Sequence, residues 1–414
     1  MEQFFYTVLL TLFRQKDCGI AVGVPHHRAI EFYSDDMEIT RNYLLQMLAM
    51  SGLRGVLVKK LFALSTRNSN YIPPHVKHGL MMRIMSSYHF PINYSFQPSS
   101  LGLVSLRTRV FKYDHFYKAL IIGNESGNIF IIFDDGRRIT HKMPNCITDV
   151  HMYSIDLVVV CATENHAHVM RIENGGLIPF CKLGHENDVN YACGNLSCNF
   201  FVSGSRDKSV KVWRIDPQGH LECLQRLDHN AKVNKVLIHG DSSAPVIAFS
   251  DCDCRMYLLL ISKDGKKLLS RASLWVQDEG DLRIAFHPNP KKKILFSGAM
   301  NGLIIAWRFE ITPSNEILTE KFIIKLPNLN GYWTSSISFH PTLPIVLFCF
   351  ADSNCEKLPN LTIAVFFSED FEKVLSTIKL REGKPNGRSV RAVFSDEGQV
   401  LCSDSNIPAV LEMK

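Results

Sequence analysis

Along most of the chain, short apolar runs alternate with clusters of Gly, Asn, Asp and Ser. The clearest instance is residues 184–215, GHENDVNYACGNLSCNFFVSGSRDKSVKVWRI. Three β-rich pieces stand out in it, at 189–193, 200–203 and 209–215. They are separated by Gly194-Asn195 and by the run Gly204-Ser205-Arg206-Asp207-Lys208. Strand, turn, apolar strand, turn, strand is the signature of an antiparallel meander.

The same grammar recurs in weaker form. Residues 121–133 place Ser126 where the first unit has Asp207. In 245–261, strands at 246–249 and 256–261 flank Asp253 in the turn. Residues 294–309 have Asn301 at the turn and Trp307 at the position of Trp213. Diverged copies span 157–172, 345–367 and 390–411. With Ile132, Arg171, Trp213, Leu259, Trp307, Val365 and Val410 as third-strand markers, the copies lie roughly 40 to 60 residues apart, which brackets the period of a propeller blade. Seven blades follow, or eight if residues 19–33 form another copy.

At residues 184–213 the chain resembles the WD-repeat family: a Gly-His pair, a Ser-Gly-Ser turn entry, an Asp in the tight turn and a Trp closing the third strand. The resemblance implies an all-β fold, a WD-repeat β-propeller. It further implies that His185, Ser203, Asp207 and Trp213 form a buried hydrogen-bonded tetrad. Carboxylate to imidazole, imidazole to hydroxyl and hydroxyl to indole N–H would leave every buried polar group with a partner. Arg214 stands where the family often has Asp, and other copies keep only parts, such as His229 with Asp253 or Asn301 with Trp307. Resemblance to the family is weakest over the first hundred residues.

Residues 35–88 break the pattern. Ile39, Tyr43, Leu44, Met47, Leu48, Leu53, Leu57 and Leu61 follow helical spacing, interrupted by Gly52 and Gly55 and stopped at the latest by Pro73-Pro74. The expected organisation is therefore candidate blade strands in 1–34, a short helical insertion or connector in 35–100, and propeller blades in 101–414. The insertion either links blades or docks a partner.

Composition fits a folded chain, with 46% apolar and 21% charged residues. The apolar stretch 4–13 is too short to span a bilayer and lacks the basic start of a signal peptide, so no membrane span is expected. The 12 cysteines are scattered without the paired spacing of a zinc site. They read as reduced thiols of an intracellular protein, cytoplasmic or nuclear. A net charge of +6 permits an acidic partner without demanding one.

Chemical motifs are missing. No nucleophile elbow, phosphate loop, kinase signature or dinucleotide fingerprint occurs, so no enzyme and no cofactor are expected. His166 and His168 would share one strand face, yet no carboxylate or thiol set accompanies them at characteristic spacing, so no metal site is expected either. Three basic runs, Arg137-Arg138, Lys266-Lys267 and Lys291-Lys292-Lys293, sit in turns and lack the interleaved aromatics of a base-stacking platform. Loops entering the innermost strands carry Lys232, Glu279, Tyr332, Trp333 and Arg388. Aromatic and arginine side chains there suit an interface, although Tyr332 and Trp333 could equally pack between blades. The expected function is a non-catalytic scaffold or adaptor subunit presenting loop surfaces to protein partners in a larger complex. The alternative is a nucleic-acid or ribonucleoprotein binder using the basic turns.

Overall fold

The computed structural model describes residues 94–98 and 108–413, apart from 217, 240–244, 277–281, 290, 301, 327–328, 330, 342–344, 353–361, 369–373, 382–390, 397–399 and 404–407. Every regular element among the described residues is a β-strand, and the strands form seven four-stranded antiparallel sheets. The fold is an all-β propeller. The helices expected in 35–88 and the candidate strands of 1–34 lie outside the described residues.

The first sheet comprises β2 (Thr108–Asp114), β3 (Ala119–Asn124), β4 (Asn128–Phe133) and β5 (Arg138–Lys142). The second comprises β6 (Ile147–Met152), β7 (Leu157–Ala162), β8 (His166–Glu173) and β9 (Gly176–Gly184). The third has β10 (Val189–Asn195), β11 (Phe200–Ser205), β12 (Ser209–Ile215) and β13 (Leu221–Asp228), and the fourth has β14 (Val233–His239), β15 (Val246–Asp251), β16 (Arg255–Ile261) and β17 (Leu268–Trp275). In the fifth lie β18 (Arg283–Phe286), β19 (Ile294–Gly298), β20 (Leu303–Ile311) and β21 (Ile317–Lys325). The sixth holds β22 (Tyr332–Phe339), β23 (Ile345–Asp352), β24 (Thr362–Ser368) and β25 (Val374–Arg381). The seventh is built from both ends of this unit: β26 (Arg391–Phe394), β27 (Val400–Ser403) and β28 (Pro408–Met413) are completed by β1 (Tyr94–Pro98). Tyr94 pairs with Met413 and Pro98 with Ala409. Thus β1, which falls inside the segment 35–100, belongs to the propeller.

Burial follows strand position. Second strands such as FFVSGS and VIAFSD are buried at every residue, because both faces of a middle strand meet neighbouring sheets. Outer strands such as LECLQRLD mix exposed and half-buried residues. First strands lie against one another from sheet to sheet, and β26 returns to β2, so the seven first strands surround a central channel. Most enter through a bulge, as between Val189 and Tyr191 and between Val233 and Lys235, which re-aims the following side chain.

Close approach between sheets needs small residues. A Cβ on Gly204 would sit 2.5 Å from Val233 Cγ1 and 2.6 Å from Val236 Cγ1, so the first strand of the fourth sheet packs into the space a side chain would fill.

Candidate functional site: the blade lock and the channel

In the third sheet the loop before β10 delivers His185 against the β11–β12 turn. His185 Nδ1 lies 2.8 Å from Asp207 Oδ2 and its Nε2 lies 2.7 Å from Ser203 Oγ. Trp213 Nε1–H donates to the same hydroxyl at 2.8 Å. Burial pushes the imidazole below its usual pKa, which favours the neutral ring. The bond pattern then assigns the proton: Nδ1–H donates to Asp207, and Nε2 accepts from the Ser203 hydroxyl. For Asp207, burial works against the charge. Hydrogen bonds from Ser209, the Glu186 N–H and His185 outweigh it, and the carboxyl is pulled down to about 2. One carboxylate thereby ties the incoming loop to the turn of its own sheet.

The other sheets remake this lock from different residues. The registers place Ser126, Glu164, Asp207 and Asp253 at one equivalent point, midway through the turn between second and third strands. They also make Met170, not Arg171, the counterpart of Trp213, because Val158 faces Met170 as Phe201 faces Trp213. In the fourth sheet His229 pairs with Asp251 at 2.7 Å, rather than with Asp253. Phe249 and Leu259 occupy the places of Ser203 and Trp213 there, and the other imidazole nitrogen, Nδ1, accepts from Arg271 Nη2–H at 3.0 Å instead of from a buried hydroxyl. The ring rests edge-on against Phe249 and Tyr257. Trp307 Nε1–H donates to Ser297 Oγ at 3.2 Å in the fifth sheet; Asn301 lies outside the described residues.

Glu164 corrects one sequence expectation. Its Oε2 lies 2.9 Å from His166 Nε2 and 3.1 Å from His168 Nε2, so a carboxylate does accompany the histidine pair, from the turn two residues before His166. Asn145 Nδ2–H, from the loop entering β6, donates to its other oxygen at 2.8 Å. These three side chains are the one group among the described residues whose donor atoms could converge on a metal ion. His168 Nε2 is hydrogen-bonded to the carboxylate, whereas the hydrogen bond of His166 runs from Nδ1 to Asn165 Oδ1 at 2.9 Å.

A second constellation occupies the channel, where side chains from different sheets meet. Lys112 on β2 forms an ion pair with Asp149 on β6, and its ammonium lies 4.6 Å from the Tyr191 ring centroid on β10. Lys235 on β14 approaches the same ring at 5.2 Å and donates to the Ile284 carbonyl at 2.7 Å. Arg283 on β18 lies 5.4 Å from the ring centroid of Trp333 on β22. Burial lowers the Lys235 pKa to about 7, aided by the positive charges of Lys112 and Arg283. Burial, with Arg283, likewise pulls Arg391 on β26 down to about 10. For Lys112, burial is overcome by Asp149, which holds the ammonium above its ordinary value. Sequence reasoning missed this group. The signal was available as single cations inside otherwise apolar first strands, VNKVLIH, RIAF and RAVF.

A family model described as WD domain, G-beta repeat matches residues 179–214, the segment that holds the His185–Trp213 lock. That segment is similar to a WD repeat, within a fold of repeated four-stranded antiparallel sheets. WD-repeat propellers generally mediate protein–protein contacts and are typically non-catalytic. The chain is also similar to Pre-mRNA-processing factor 19 of Oryza sativa subsp. japonica, at 26% identity over 170 residues. That match covers 41% of this chain and 31% of the rice protein, so the likeness spans about a third of the relative.

The residues expected at the mouth of the WD-repeat propeller are placed unequally. Lys232 is exposed in the loop before β14, where its carbonyl accepts the Cys252 N–H at 3.0 Å. Trp333 is half-buried and forms a bridge with Met300. Tyr332 is only 7% exposed and packs with Leu326, Leu329 and Phe350 between sheets, which withdraws its ring from the surface. Glu279 and Arg388 lie outside the described residues. Of the basic turns, Arg137 is paired with Asp135, Lys266 lies 3.5 Å from Glu222, and Lys291 is exposed. No helix among the described residues is long and apolar enough to cross a membrane.

Proposed function

We propose that this WD-repeat propeller is a non-catalytic scaffold subunit that holds protein partners in a multiprotein complex, using the loops that enter its first strands. The observation that carries this reading is the pairing of Trp333 with Arg283 at the entry to first strands. An amphipathic aromatic, already oriented by a cation, loses little side-chain freedom when a partner covers it. Glu279 and Arg388, on loops of the same kind, extend the proposed contact. The name of the rice relative speaks of pre-mRNA processing, and by that likeness the proposed setting is a nuclear complex.

Affinity purification from cells expressing Trp333→Ala with Arg388→Ala tests the reading. Recovery of co-purifying proteins should fall while the melting transition of the purified variant stays cooperative. Unchanged recovery rejects this face. A second reading, nucleic-acid binding through the basic turns, is favoured by the exposed Lys291 beside Lys292 and Lys293. It requires an affinity that falls steeply with salt and on neutralising those three lysines.

A further inference from the structure

Among the described residues the charge in the channel is one-sided: Lys112, Lys235, Arg283 and Arg391 meet a single carboxylate, Asp149, and Lys112 already engages it. The Nε–H groups of Arg283 and Arg391 are buried with no acceptor, while Lys235 satisfies one donor on a backbone carbonyl. Buried donors without acceptors, and like charges within Coulombic reach of one another, both disfavour the empty arrangement. A bound anion removes both penalties at once.

We propose that the channel is a binding site for a small, free, multiply charged oxyanion of the phosphate type, held between Arg283, Arg391 and Lys235. Guanidinium groups present a planar fork of N–H donors that matches the oxygen edge of a tetrahedral oxyanion, and an ammonium adds a point charge. These cations come from the first strands of three sheets that line one channel and lie within Coulombic reach of one another, which suits a compact ion. Nucleic acid needs cations ranked along an open surface, and the basic runs on the outer turns are distinct from this group. Lys235 strengthens the case: an ammonium held near neutrality by its cationic neighbours takes up a proton when an anion arrives. The proposal goes beyond the scaffold reading and stands without it.

Isothermal titration of the full chain with inorganic pyrophosphate at low ionic strength is the test. The wild type should bind at one site, and Arg283→Gln and Arg391→Gln should each bind at least about tenfold more weakly. A surface control, Lys291→Gln with Lys292→Gln and Lys293→Gln, should match the wild type. The binding heat should vary with the ionisation enthalpy of the buffer, and Lys235→Met should abolish that variation. Lys235→Met also serves if the arginine variants fail to fold, because it removes a crowded cation: its thermal midpoint should rise less with pyrophosphate than that of the wild type. Absence of binding by the wild type overturns the proposal. So does binding that survives in the channel variants and disappears in the surface control.

Discussion

Ser203→Ala removes one oxygen and breaks two bonds. The Ser203 hydroxyl is fully buried, donates to His185 Nε2 at 2.7 Å and accepts from Trp213 Nε1–H at 2.8 Å. In the variant both ring nitrogens keep their burial and lose their partner. Each orphaned group costs about 1–3 kcal/mol. The space vacated is about one atom, too small to admit a replacement water. The expected loss is therefore about 2–5 kcal/mol, a sizeable share of the roughly 5–15 kcal/mol typical of a folded domain. Urea unfolding followed by tryptophan fluorescence measures it. Trp213→Phe removes the donor and also leaves a cavity where the larger indole packed, so it should cost at least as much as Ser203→Ala. The double variant should be milder than the two single losses added together, by about 1 kcal/mol, since both act on the same bond. A loss below about 0.5 kcal/mol for Ser203→Ala, or strict additivity in the cycle, would refute the lock as an energetic unit.

Two further outcomes follow from the third sheet. Gly204→Ala forces a methyl to 2.5 Å from Val233 and should destabilise by about 1–3 kcal/mol, whereas Gly184→Ala, with nothing within 4 Å, should be close to neutral; equal melting temperatures for the two would contradict the packing account. Asp207, held at about 2 against an ordinary 3.8, contributes stability that is present above about pH 4 and is lost as pH falls through 2. Its contribution is about 2 kcal/mol. The stability gap between wild type and Asp207→Asn should shrink from pH 6 towards pH 2.5, and a gap that ignores pH would exclude the carboxylate as its source.

How far the fold could be read from sequence depended on local chemistry. Turn residues and apolar runs mark sheet after sheet because a second strand buried on both faces must be apolar and its turns must break it. Ser126 and Asp253 occupy the turn position that spacing gave them. Pairings that cross the chain were harder to see. His229 could be placed opposite a turn acid, but two acids sit there two residues apart, and the packing of Phe249 and Tyr257 with the Arg271 hydrogen bond holds the imidazole on Asp251. Glu164 is close to both histidines in sequence, and the turn before β8 is what aims its carboxylate at them. Lys235 and Arg391 escaped notice: each is one cation in its own strand, and their meeting exists only because the first strands form a ring.

The composition of the seventh sheet bears on how the molecule comes into being. β1 must find β28, with residues such as Pro98 and Ala409 about 310 positions apart. Joining two such ends in an otherwise unstructured chain costs about 5 kcal/mol of chain entropy beyond a constant. Once the six intervening sheets stand in sequence, the ends are already near each other and most of that cost is gone. The pairing is thus expected as the last step in assembly, and until it happens β28 would offer an open edge to any stray strand. A nascent chain halted before residue 408 would carry that vulnerability in reverse, with β1 waiting unpaired while the rest of the ring stands formed.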